Sequence, residues 1–175
     1  METHDERYMR LALDQAKIAL SYEWIPVGAL FVKDNVIVAH GRKTGLVHPL
    51  FDHAEHNGCY GALHAGREGP RNLAGVTVYA TLEPCLVCMS MLMTTRVSRI
   101  VYGLDDPYGG GTFLLSSPGL PPRFQKERPV VEGGVLREES RLLLREFFVR
   151  ERDTNSKNWS DHTNPLVKLA MGDNT

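Results

Sequence analysis

A chain of 175 residues has one domain's length, enough to bury a real hydrophobic core. Its 20 basic and 21 acidic side chains nearly cancel, so no global charge argues for nucleic acid, although a local basic patch remains compatible with it. Three cysteines exclude a disulfide framework and point to a reducing compartment, the cytoplasm by default; no leader or membrane-spanning run is expected, since Met1-Glu2-Thr3-His4-Asp5-Glu6 lacks basic and apolar regions.

In chain order, Asp5 is a candidate cap for a first helix whose apolar positions Tyr8, Leu11, Ala12, Ile18 and Ala19 recur at helical spacing. Strands are expected at 27–32 and 36–40, joined by the polar hairpin Lys33-Asp34-Asn35. A loop leads to a helix from Ala54 to His64, and an Arg-rich stretch punctuated by glycine and proline follows. Residues 77–81 read as a strand running into Glu83-Pro84-Cys85, and 99–103 as its parallel neighbour after a right-handed crossover helix. The stretch 105–128 reads as a lid or binding loop, with Gly109-Gly110-Gly111 a flexible turn and not a phosphate cradle. A fifth strand at 130–135 and an amphipathic helix at 137–150 complete a domain over 1–152; residues 153–175 form a polar tail with Trp159 and an apolar patch at 166–171.

The chemistry lies in His53-Ala54-Glu55 and Pro84-Cys85-Leu86-Val87-Cys88. A catalytic Zn²⁺ takes three protein ligands and leaves its fourth position to water, so His53, Cys85 and Cys88 make a complete set. The metal lowers the pKa of that water to about 7, and Glu55 is placed to take its proton and deliver it to a leaving amine. If Cys85 opens a helix, Cys88 follows one turn later on the same face, where the positive helix end favours thiolates. A redox dithiol needs no His-x-Glu, and a structural knuckle needs four protein ligands. Cys59, well past the first turn, reads as a buried small hydrophobe, and His48, His56 and His64 as surface or supporting groups. The whole pattern matches the H-x-E…P-C-x-x-C signature of zinc-dependent nucleobase deaminases.

With these residues, and with Arg10-Leu11-Ala12-Leu13, Ile25-Pro26-Val27-Gly28-Ala29, 79–85 and Arg145-Glu146-Phe147-Phe148, the chain resembles the cytidine deaminase superfamily and, within it, the tRNA-specific adenosine deaminase branch. The resemblance implies an α/β fold, a three-layer α/β/α sandwich on a five-stranded mixed sheet, with zinc on His53, Cys85 and Cys88 and frequently a homodimer. It also implies that Glu55 shuttles protons and that the Ala54 backbone touches the base. Arg42-Lys43-Thr44 departs from the branch's Asn-Arg-Pro run, whose Asn helps to recognise the base; Asp52 and His56-Asn57-Gly58 depart as well.

The leading expectation is therefore a hydrolytic deaminase of a small substrate, a free base, nucleoside or nucleotide, with Arg42 binding the ligand and Trp159 of the tail closing the site by stacking. The alternative is wobble-adenosine deamination in tRNA, and the alternative of another class is a silent zinc-binding scaffold, against which the presence of Glu55 argues. The run Met89, Met91, Leu92 and Met93 is a candidate dimer surface or core filling.

Overall fold

The computed structural model describes residues 2–65, 69–153 and 163–172. Helix α1 (His4–Ser21) is capped by Thr3, not by Asp5: Thr3 accepts from Glu6 N while Glu6 accepts from Thr3 N, a reciprocal capping box. Asp5 is thereby freed for a longer-range role. It takes both ends of the Arg99 guanidinium at 2.7 Å and the Tyr79 hydroxyl at 2.8 Å, tying the start of α1 to the sheet. The buried stripe of α1 runs through Met9, Ala12, Leu13, Ala16 and Leu20, and Ile18 stands half a turn away from it, 37% exposed.

Strands β1 (Gly28–Lys33) and β2 (Val36–Arg42) form the hairpin. Asp34 and Asn35 both take positive φ (50° and 61°), as a two-residue turn with the hand of the strand twist requires. β3 (Thr77–Leu82), β4 (Arg99–Leu104) and β5 (Val130–Gly133) complete a sheet of order β2-β1-β3-β4-β5. β1 is antiparallel to both neighbours, whereas β3, β4 and β5 run parallel, so the sheet is mixed.

Both sheet faces are covered, and the period-two alternation shows which residue goes where. Ala29, Phe31, Val78 and Ile100 pack with helices α2 (Ala54–Leu63) and α3 (Leu86–Thr94). Leu30, Val32, Tyr79 and Val101 pack with α1 and with residues near the start of α5 (Arg137–Asp153). The result is the α/β/α sandwich. Met89, Leu92 and Met93 belong to the first of these cores at 0–2% exposure, and Met91 packs against it partly buried, so the run serves as core filling of the protomer.

Two segments read as irregular carry structure. The 105–128 stretch contains a 3₁₀ turn (Thr112–Ser116) and a short helix α4 (Pro122–Lys126). The tail contains α6 (Pro165–Met171), which lies on α5 and buries Leu166, Val167 and Ala170. Among the described residues no helix is long and apolar enough to cross a membrane.

The α1–sheet contact is close enough to dictate residue type. A Cβ at Gly28 would stand 2.1 Å from the Ala12 carbonyl oxygen and 2.6 Å from Ala16 N, backbone atoms with nowhere to go. Gly28→Ala is expected to cost about 1–3 kcal/mol and lower the melting temperature by several degrees. Gly61, on the exposed side of α2, would meet only Ala39 Cβ at 3.6 Å, so Gly61→Ala is expected to be neutral or to stabilise by up to about 1 kcal/mol. Thermal unfolding of the two variants checks the contrast; equal shifts would contradict it.

Candidate active site

The site is built where two helices begin. His53 is the N-cap of α2 and Cys85 the N-cap of α3; both have extended backbone, and neither side chain caps its own helix. Their donor atoms are therefore free to face each other. His53 Nδ1 lies 3.5 Å from Cys85 Sγ and 3.6 Å from Cys88 Sγ, and the three donors all fall within 4.8 Å of one another. Atoms bound tetrahedrally at about 2.3 Å (S) and about 2.1 Å (N) stand about 3.6 Å apart, so the spacing fits Zn²⁺.

Protonation points the same way. A hydrogen bond from the Cys88 thiol, helped by His53 and the Cys88 backbone N–H, brings Cys85 down to about 4. Cys88 is driven the other way, first by donating to Cys85, then by burial and by the Glu55 carboxylate. His53 is raised, chiefly by its hydrogen bond to Cys85 and against its burial. Two sulfurs thus share one proton beside an imidazole, and a dication at that point would stabilise both as thiolates.

Glu55, on the first turn of α2, is 4% exposed, with Oε2 3.6 Å from Cys88 Sγ. Burial, reinforced by the charge on Cys85, pushes its carboxyl up to about 7. Such a group exchanges a proton readily near neutrality, as a general acid and base must.

Two clamps, one buried and one half-buried, hold this centre, and both were hidden from a sequence reading. Asp52 is 2% exposed and accepts from Thr44 N, Thr44 Oγ1, Gly45 N and Asn57 Nδ2, the last of which also reaches Arg42 O. Burial alone would raise the Asp52 carboxyl; these donors outweigh it and hold the group below its ordinary value. The clamp fixes the loop that delivers His53. On the other side Glu83 accepts from Asp106 N, Thr112 N and Thr112 Oγ1, tying the 105–112 segment to the cysteine helix.

The glycine run completes that second clamp. Gly110 bridges to Cys85, and Gly111 N donates to Pro84 O at 2.8 Å. A Cβ at Gly110 would strike the Glu83 carboxylate at 2.3 Å, and one at Gly111 would meet the Cys85 and Leu86 backbone at 2.8 Å. Gly110 and Gly111 are glycine because the chain passes against the ligand loop, while Gly109 ends the turn before them.

A cavity of about 270 Å³ opens beside the three donors, lined by His53, Ala54, Glu55 and Cys85, by Lys43, Glu83 and Asp106, and on its apolar side by Ile25, Val27, Leu82 and Leu166. Asp106 and Tyr108 also line it and were not singled out from sequence; burial raises the Asp106 carboxyl above its usual range. Arg42 is not among the lining residues. Its guanidinium donates to Gln15 Oε1 at 3.0 Å, and the next residue, Lys43, faces the cavity. Cys59 is buried against Thr95 and stands outside the donor group, while Trp159 lies outside the described residues.

The family model for the cytidine and deoxycytidylate deaminase zinc-binding region matches residues 2–104. The tRNA-specific adenosine deaminase of Agrobacterium fabrum (strain C58) is 33% identical over 150 residues, covering 83% of this chain and 94% of that protein. That of Bacillus subtilis (strain 168) is 33% identical over 151 residues, covering 83% and 89%. A solved structure from work on A-to-I editing by tRNA:A34 deaminases superposes with a TM-score of 0.70 at 31% identity, covering 79% of this chain and 99% of the other.

Purified protein is expected to carry one zinc per chain, and Cys85→Ala or Cys88→Ala to lose it, by metal analysis. Asp52→Ala removes the loop clamp without touching a donor. It is expected to cost about 1–3 kcal/mol of stability and to weaken zinc retention against a chelator. Wild-type chelator resistance in that variant would show that the clamp does not position His53.

Proposed function

Since the chain belongs to the cytidine and deoxycytidylate deaminase family, we propose that it deaminates adenosine to inosine in tRNA, at the wobble position. The reading rests on similarity to tRNA-specific adenosine deaminases along nearly their whole length. The cavity supports it: at about 270 Å³ it lies at the small end of ligand sites, roughly 300–1,000 Å³, room for one base presented from outside. Lys43 adds a cation at the lining. It sits 5.4 Å from the Trp24 ring centre and, among the described residues, has no carboxylate partner, which leaves its charge for a substrate phosphate.

The small-substrate expectation rested on Arg42 and Trp159. Arg42 is engaged with Gln15, so its fork offers no argument for a ligand carboxylate or phosphate in the cavity.

Zinc on His53, Cys85 and Cys88 would supply Lewis-acid activation of a water. Glu55 would take one proton from the water and give it to the ring nitrogen as the C–O bond forms, then carry the remaining hydroxyl proton to the amine as the C–N bond breaks, so that a carbonyl is left and ammonia departs. Ala54, between ligand and acid, lies along the cavity where the base edge would meet it. This protein would act in the cytoplasm, in keeping with its three free cysteines. A homodimer is supported by the exposed Tyr60, Leu86 and Val87 on and beside the site helices.

The test supplies wild-type protein with an anticodon stem-loop bearing wobble adenosine and, separately, with adenine, adenosine, AMP, cytosine, cytidine and guanine. Inosine in the stem-loop with no comparable ammonia release from the small compounds is expected; the reverse pattern would restore the small-substrate reading. Glu55→Gln is expected to keep zinc and lose about 10²–10⁴-fold in turnover. Lys43→Ala is expected to weaken stem-loop binding and to reduce the slope of log affinity against log salt by about one. An unchanged slope would remove Lys43 from the phosphate contact.

A further inference from the structure

One wall of the cavity is built by the tail. Ile25, Val27 and Leu82 come from the sheet and its connections, but Leu166 comes from α6. It is 3% exposed and shares a core cluster with Leu82, Leu104, Leu144 and Phe147. The short helix that carries it is closed at both ends. Asn164 Oδ1 accepts from Leu166 N, Pro165 occupies the first turn, and Gly172 at φ 90° ends the helix with its N–H on Leu169 O and Lys168 O. From α5, Arg141 Nη1 donates to Ala170 O at 2.7 Å, and Ala170 itself is fully buried. A seven-residue helix has little stability of its own, so these contacts are what keep it in place.

The polar half of the cavity is committed to chemistry. His53 and Cys85 face the metal position, Glu55 moves protons, and both oxygens of Glu83 are used by Asp106 N, Thr112 N and Thr112 Oγ1. A base in the cavity would also meet its apolar half, because a flipped or free base is held by contact of its face with apolar side chains while its edge is read by polar groups. The only residue of that half supplied from beyond α5, among those described, is Leu166.

We propose that Leu166 is a specificity-determining residue. It supplies the apolar contact that α6 adds to the base's site, and α6, tied down by Arg141, is its scaffold. The proposal rests on the reading of this chain as a nucleobase deaminase and adds the residue that shapes the base's site. Its consequence is a separation between binding and chemistry: shortening Leu166 loosens the base without disturbing the metal or Glu55.

Val167 provides the control. It is buried to a similar degree (5% exposed) and belongs to the same cluster, but it does not line the cavity. Leu166→Ala, Val167→Ala and wild type are compared for zinc content, melting temperature, kcat and KM on the wobble-adenosine stem-loop and on adenosine. Binding of purine riboside, which has no amine to lose, is measured by calorimetry as a readout independent of turnover. Leu166→Ala is expected to raise KM and to weaken purine riboside binding about 10-fold or more, with kcat and zinc nearly unchanged. Val167→Ala is expected to lower the melting temperature comparably while leaving KM and binding at wild-type values. Equal effects of the two variants on KM and binding, or no effect of Leu166→Ala on either, would overturn the proposal and leave α6 as packing alone. Wild-type protein that neither turns over nor binds any of these compounds would refute the deaminase reading itself, and the proposal with it.

Discussion

Everything in the site depends on two helix N-termini meeting beside the carboxyl end of β3. The N-cap position puts His53 and Cys85 in extended backbone just outside their helices, where a side chain projects ahead of the axis. One turn into α3, Cys88 reaches the same point. The partial positive charge of both helix starts opposes no ligand and favours the thiolates. With no cation between them the two sulfurs titrate apart, Cys85 lowered by the hydrogen bond from Cys88 and Cys88 raised by donating it, as two neighbouring acids do.

Convergence at that precision needs support outside the motif. Each ligand loop is pinned by one buried or half-buried carboxylate that spends its lone pairs on backbone N–H groups, Asp52 for the loop before α2 and Glu83 for the segment after β4. The same logic explains the composition nearby. Gly110 and Gly111 are small because backbone passes against the Cys85 turn and the Glu83 carboxylate. Thr44, Asp52 and Asn57, each a departure from the family's pattern, act together as one network. Departures that look like lost function one residue at a time can be a substituted structural solution.

How much of this was legible depended on the distance over which a residue acts. The spacings that bring His53, Cys85 and Cys88 together are local, and so are the Lys33-Asp34-Asn35 hairpin and the strand before it, and the three donors, the hairpin and the strand are all present in the structure. The Thr3-x-x-Glu6 capping box was equally local and was passed over for Asp5, whose real partner, Arg99, lies 94 residues on. Arg42 occupies the register of a base reader, but it does not line the cavity and its Nη1 donates to Gln15 on α1, a contact no spacing within the motif reveals. Asp106, Tyr108 and Leu166 reach the cavity through the fold of a loop and of the tail, so nothing in their immediate sequence marks them. The methionine run after Cys88 was ambiguous between core and interface because a helix buried against a sheet and one buried against a second protomer have the same composition.

The central claim is that His53, Cys85 and Cys88, with no fourth donor among the described residues, would hold the metal and leave one position to water. X-ray absorption at the zinc edge of the purified protein tests it directly. The account predicts two sulfur scatterers at about 2.3 Å and two nitrogen or oxygen scatterers at about 2.0–2.1 Å. A shell of three or four sulfurs, or a second imidazole in the open position, would contradict it.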